Sequence, residues 1–165
     1  MPSAPKAYLA GPTVFFPDAL EVGHLLKKLC QDHGLIGVFP LDELEPGVTA
    51  REIFDHNIAR LRACDVVVAD VSPFRGPHAD DGTAFEMGFA NAFALPIFAY
   101  SRDLRPLAGR IATERGHDRR LRDDRQLEVE DFGLSQNLML SCAVVGVYES
   151  AAKAIQAAAQ HLSAT

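Results

Sequence analysis

The sequence predicts a single α/β domain over 1–165, built on a doubly wound, five-stranded parallel sheet with helices on both faces. Three observations predict it. Short runs rich in Val, Ile, Phe and Tyr alternate with longer segments whose apolar residues recur at helical spacing. One of those runs holds Val66, Val67 and Val68 without a polar interruption, as in a strand covered on both faces. A chain of 165 residues, 48% of them hydrophobic, is long enough for one complete core.

The elements follow in order. A first strand at 7–10 stops at Gly11-Pro12. Residues 17–32 carry Leu20, Leu25, Leu26 and Leu29 on a helix that ends at His33-Gly34, with glycine as its stop. A second strand at 35–39 is cut by Pro40. Thr49 and Glu52 form a capping box that opens a helix through Ile53, Phe54, Ile58 and Leu61. The third strand is 63–70, the fourth 95–100 and the fifth 144–148, and an alanine-rich helix over 149–162 closes the chain. Strands alternating with helices give the three-layer α/β/α arrangement of flavodoxin-like and Rossmann-like sheets, whose ligands bind beyond the carboxyl ends of the strands.

Charge and motifs exclude several functions. The net charge of −6 argues against nucleic acid or an acidic membrane as the principal partner and suits a small neutral ligand. No run approaches the roughly eighteen apolar residues of a membrane span, and the first residues lack a signal-like apolar stretch, so a cytoplasmic location is expected. Cys30, Cys64 and Cys142 read as buried free thiols. The histidines lack ligand spacing, so no metal is expected. Glycine-rich phosphate loops and a G-x-S-x-G elbow are both missing, which removes kinase, dinucleotide and serine-hydrolase readings. Between 101 and 131 the pattern fails, and Arg102, Arg105, Arg110, Arg115, Arg119, Arg120, Arg122 and Arg125 mix with acids, as in a solvated loop or lid.

What remains is a carboxylate site. Asp80-Asp81-Gly82-Thr83-Ala84-Phe85-Glu86 opens a helix that is otherwise apolar nearly all round. Thr83 and Glu86 fit a capping box, and Glu86 equally fits a nucleophile in the first turn of a buried helix, where burial raises its pKa and the helix dipole lowers it. Both readings stand on these residues alone. Gly11-Pro12-Thr13, Asp70-Val71-Ser72-Pro73 and 82–86 converge on one edge of the sheet.

Taken in order, Tyr8-Leu-Ala-Gly-Pro12, Asp65-Val-Val-Val-Ala-Asp70, the segment 80–90 and Asn137-Leu-Met-Leu140 resemble the nucleoside 2-deoxyribosyltransferase family over most of the chain. The resemblance implies exchange of 2-deoxyribose between nucleobases with no cofactor. It makes Glu86 the nucleophile that attacks the anomeric carbon, Tyr8 the hydroxyl that orients it, and Asp70 the proton donor to the departing base. Asp80 is implied to bind the sugar, with Gly11 and Met139 also lining the substrate, and Asn137 to reach the sugar from a neighbouring subunit of a homo-oligomer with shared sites. Double displacement at carbon retains configuration, and it needs one ionised and one protonated acid, here Glu86 and Asp70 respectively. The alternative is N-glycoside hydrolysis of deoxynucleosides or their 5′-monophosphates; in that branch a serine stands where this chain has Asp80, whose charge opposes a phosphate.

Overall fold

Five parallel strands form the sheet, four of them inside the expected runs and the first beginning one residue before its run: β1 (Lys6–Ala10), β2 (Ile36–Val38), β3 (Val66–Asp70), β4 (Ile97–Tyr100) and β8 (Gly146–Tyr148), in the order β2-β1-β3-β4-β8. The computed structural model describes residues 3–45 and 47–164; Met1, Pro2, Pro46 and Thr165 of the expected domain lie outside the described residues. The chain winds outward from β1 to β2 and then in the opposite sense through β3, so the topological switch point lies between β1 and β3. Every residue of β3 is buried, which is why its apolar run has no alternation.

Strand parity divides the core into two. Ala7, Leu9, Val66 and Val68 face α1 (Ala19–Asp32) and α6 (Ala151–Ser163), packing on Leu26, Cys30, Ala154, Ile155 and Ala158. Tyr8, Ala10, Val67 and Ala69 face α2 (Ala50–Arg62) and α3 (Asp81–Ala92), against Leu61, Met87 and Ala90. A slip of one residue in β1 would exchange these faces and carry Tyr8 to the wrong layer. Local chemistry fixes the helix ends. Thr49 and Glu52 make both bonds of the capping box on α2, and Gly34, at φ +76°, ends the α1 turn.

Four expectations change. Asp80, not Thr83, caps α3: its Oδ2 accepts from the Thr83 backbone N–H at 3.0 Å and from the Thr83 hydroxyl at 3.2 Å. Glu86 therefore stands in the second turn, outside any capping box and beyond the strongest pull of the helix dipole. The helix is not enclosed either, because Phe85 and Phe93 are 51% and 49% exposed on its outer face. Residues 101–131 are not one irregular loop. They fold into a short helix, α4 (Ala108–Ile111), and a small antiparallel sheet of β5 (Glu114–Arg115), β6 (Leu121–Arg122) and β7 (Glu128–Val129), held by ion pairs such as Arg120 with Glu128 and Arg122 with Asp118. Cys30 and Cys64 are buried as expected, but Cys142, just after α5 (Leu138–Ser141), is exposed.

Candidate active site

The site begins with a pair that parity alone makes possible. Tyr8 has no solvent exposure, yet its hydroxyl donates a 2.6 Å hydrogen bond to Oε1 of Glu86, 78 residues away. Burial is the largest influence on both groups. It raises the Glu86 carboxyl from its ordinary 4.5 to about 7, with the Tyr8 hydrogen bond pulling it down and the charge of Asp80 pushing it up. The Tyr8 phenol is driven far above its ordinary range, by burial first and then by Glu86, so it stays a donor. The sequence-based expectation of an ionised Glu86 held by the helix dipole thus gives way to a carboxyl poised near neutrality by burial.

Asp70 ends β3 at 6% exposure, and its Oδ1 accepts the Ser72 N–H at 2.9 Å. It has the parity of Val66 and Val68, so it leaves the strand toward the α1 and α6 side, while Glu86 stands on the other; the crevice at the strand ends lies between them. Gly11 makes that position possible. A Cβ on Gly11 would lie 2.9 Å from the Asp70 Cβ, closer than side chains tolerate. Beyond Asp70, the Phe15 and Phe74 rings stack at 5.5 Å and 17°, and the Arg75 guanidinium lies 5.0 and 4.8 Å from their centres. Phe15 follows β1 and Phe74 follows β3, so this stack straddles the switch point. A cleft of about 230 Å³, lined by residues 74–81, runs from it to Asp80.

The structure therefore gathers Tyr8 with Glu86 and Asp80, and Gly11 with Asp70. Within one chain Asn137 and Met139 make no hydrogen bond to any of these groups. Asn137 caps α5 through the Met139 N–H and donates to Glu130 at 2.9 Å, and Met139 is 73% exposed. Among the described residues no three His, Cys, Asp or Glu side chains gather as a metal ion would require. Sequence reasoning passed over Ser72, which holds Asp70, and Gln136, which is 3% exposed and bonds both sides of the crevice loop. A buried glutamine one residue before Asn137 carries no sequence signal that separates it from a surface one.

Comparison with known proteins bears on the family and the fold. The sequence model described as nucleoside 2-deoxyribosyltransferase matches residues 7–139. The structure of a 2-desoxiribosyltransferase from Leishmania mexicana is 34% identical, covering 95% of this chain and 98% of that one with a TM-score of 0.81. An uncharacterized protein of Schizosaccharomyces pombe is 34% identical over 119 residues, 67% of this chain and 56% of its own, so this chain spans little more than half of that relative's length. A 2-deoxyribosyltransferase from Bacillus psychrosaccharolyticus, at 19% identity, TM-score 0.58 and coverage of 90% and 88%, shares the fold.

Two outcomes follow from the packing. Gly11→Ala is expected to displace Asp70 and lower turnover at least tenfold with little loss of folded protein, as measured by steady-state kinetics beside thermal unfolding. Glu86→Gln keeps the acceptor for Tyr8 and removes the titration. Because the folded-state pKa of Glu86 is raised, its favourable contribution is present below 4.5 and lost as pH rises through about 7. The substitution should therefore raise the melting temperature clearly at pH 8 and little at pH 4; an equal change at both would contradict the shift.

Proposed function

We propose that this chain, which belongs to the nucleoside 2-deoxyribosyltransferase family, moves a 2-deoxyribosyl group between nucleobases through an ester on Glu86. The buried Tyr8–Glu86 pair at the switch point carries this reading. In the first half-reaction a Glu86 carboxylate oxygen bonds to the anomeric carbon as the glycosidic C–N bond breaks. The electron pair of that bond leaves on the base nitrogen, which takes a proton from Asp70. The incoming base then attacks the same carbon, breaks the ester and returns its proton to Asp70, so configuration is retained over two displacements. Tyr8 holds one carboxylate oxygen, which aims the other at the sugar and keeps the group from pairing elsewhere. The face of the Phe15–Phe74 stack offers a planar apolar surface for a nucleobase.

The near-neutral Glu86 suits both halves, since it must be an anion to attack and a tolerable leaving group to release the sugar. Asp80, spent on the α3 cap yet close enough to push Glu86 upward, adds negative charge that favours a free 5′-hydroxyl over a phosphate. Nucleoside salvage and a cytoplasmic location fit such a reaction, and no helix among the described residues is long and apolar enough to cross a membrane.

The chain completes its site as a homo-oligomer in this reading. Exposed Phe54 and Phe85 pack at 5.7 Å, and the row continues through Phe89 to Phe93, leaving an aromatic stripe on the outer face of α2 and α3. Exposed Asn137 and Met139 would then meet a neighbour's substrate rather than their own.

Incubation with a deoxynucleoside and a different free base is expected to yield the new deoxynucleoside, and the protein mass to rise by one deoxyribosyl unit. Glu86→Ala should lose both; free sugar as the sole product would mean hydrolysis, and persistence of exchange in the variant would remove Glu86 from the reaction. Inactive Glu86→Ala and Asn137→Ala chains, mixed under conditions where subunits exchange, should regain roughly a quarter of native activity from random pairing. No recovery would confine Asn137 to its own subunit.

A further inference from the structure

We propose that Gln136 is a positioning residue whose single buried amide sets the spacing between the strand end bearing Asp70 and the helix cap Asp80. The proposal rests on the transferase reading of Asp70 and Glu86. Gln136 Nε2 donates to the Val71 carbonyl at 2.7 Å, and its Oε1 accepts the Ala79 N–H at 3.2 Å. A carbonyl only accepts and an N–H only donates, so the two partners fix which way the amide points. They lie 65 and 57 residues away in sequence and are the two ends of the crevice loop. Val71 adjoins Asp70 and Ala79 adjoins Asp80.

Between those ends the chain doubles back. Phe74 N–H donates to the His78 carbonyl at 2.8 Å, Pro73 and Pro77 flank the turn, and Arg75 and Gly76 sit at φ 51° and 143°. The turn closes itself at 74–78 but does not bind its own outer ends to each other; the Gln136 amide does. Since α3 starts at the Asp80 cap, this spacing also sets where Glu86 stands relative to Asp70.

Gln136 can hold this distance because its own backbone is held. Leu107 N–H donates to the Leu134 carbonyl at 2.8 Å, the nearly buried Arg110 guanidinium donates to the Ser135 carbonyl, and the Gln136 carbonyl accepts the Ser141 hydroxyl at 3.1 Å. Asn137 follows directly, so one residue ties the end of β3 and the start of α3 to the cap of α5, which lies far from both in sequence. Rigid planar amides are suited to this, and loss of both bonds would leave a buried C=O and N–H unpaired.

The test compares Gln136→Met, which keeps the volume and loses both bonds, with Gln136→Glu. In the second variant the protonated carboxyl can donate to Val71 and accept from Ala79, whereas the carboxylate can only accept. The native chain and both variants would be followed by steady-state transfer kinetics across pH, thermal unfolding, and amide hydrogen exchange of 71–80. Gln136→Met is expected to fold, to lose about tenfold in kcat with a smaller change in KM, and to exchange faster at Ala79. For Gln136→Glu, kcat relative to native should climb as pH falls, while the ratio for Gln136→Met stays flat. Should Gln136→Met fail to fold, the pH-dependent ratio of Gln136→Glu decides alone. Native kcat with native exchange at 71–80 in Gln136→Met would overturn the proposal, as would losses that only track the unfolded fraction. If the native chain transfers no sugar, the transferase reading fails; exchange at Ala79 then still decides whether the amide holds the loop.

Discussion

A fully buried phenol donating to a carboxyl on the opposite layer is the constraint from which the rest of the site follows. Tyr8 reaches Glu86 because β1 presents Tyr8 and Ala10 to α3 and turns Ala7 and Leu9 the other way. That parity is locked by pairing on both sides, Tyr8 beside Val38 and Val67. The hydrogen bond in turn requires a second turn of α3 at fixed height, which the Asp80 cap supplies. Removal of water from the pair raises the carboxyl, and the phenol partly offsets that rise. The same bond thus fixes both where the carboxyl points and how readily it ionises.

The sheet was legible in the sequence because burial on both faces leaves a mark that local reasoning can read. Val66 to Val68 have no alternation, and Leu35 to Phe39 and Leu95 to Tyr100 are bounded by proline or glycine or carry proline near their start. Thr49 and Glu52 announced α2 for the same reason: a capping box is a local device. The start of α3 was harder, since Asp80 and Thr83 are both good caps three residues from a partner, and the backbone uses the earlier one. The strands at 114–129 are two residues long, too short for a period of two to show. α3 looked buried because Phe85, Phe89 and Phe93 are apolar, but in one chain they cover each other and solvent faces them.

The site divides along the same line. Asp70 ends β3, Tyr8 stands within β1 and Glu86 in the second turn of α3, elements whose order in the sequence places them near the carboxyl edge of the sheet. Gly11 was legible as a turn and proves to matter through a contact with Asp70, fifty-nine positions on in the sequence, that no spacing rule encodes. Ser72 holds Asp70 locally, its own backbone N–H donating to the side chain two residues before it, whereas Gln136 acts through bonds to distant backbone, so its importance exists only in the folded chain. Asn137 and Met139 stand exposed at α5, where the Asn137 side chain bonds to Glu130 and to the Met139 N–H, partners that no sequence spacing announces.

The account turns on Glu86 acting as an anion whose pKa is set by burial against the Tyr8 hydrogen bond. The most direct measurement is the pH profile of kcat/KM for base exchange, in native protein and in Tyr8→Phe. The native acid limb is expected near pH 7, falling toward acid as Glu86 takes up its proton. Tyr8→Phe removes the one bond that lowers this pKa, so its limb should move to higher pH. A native limb near the ordinary carboxylate range, or a limb that stays in place or moves to lower pH in Tyr8→Phe, would contradict it.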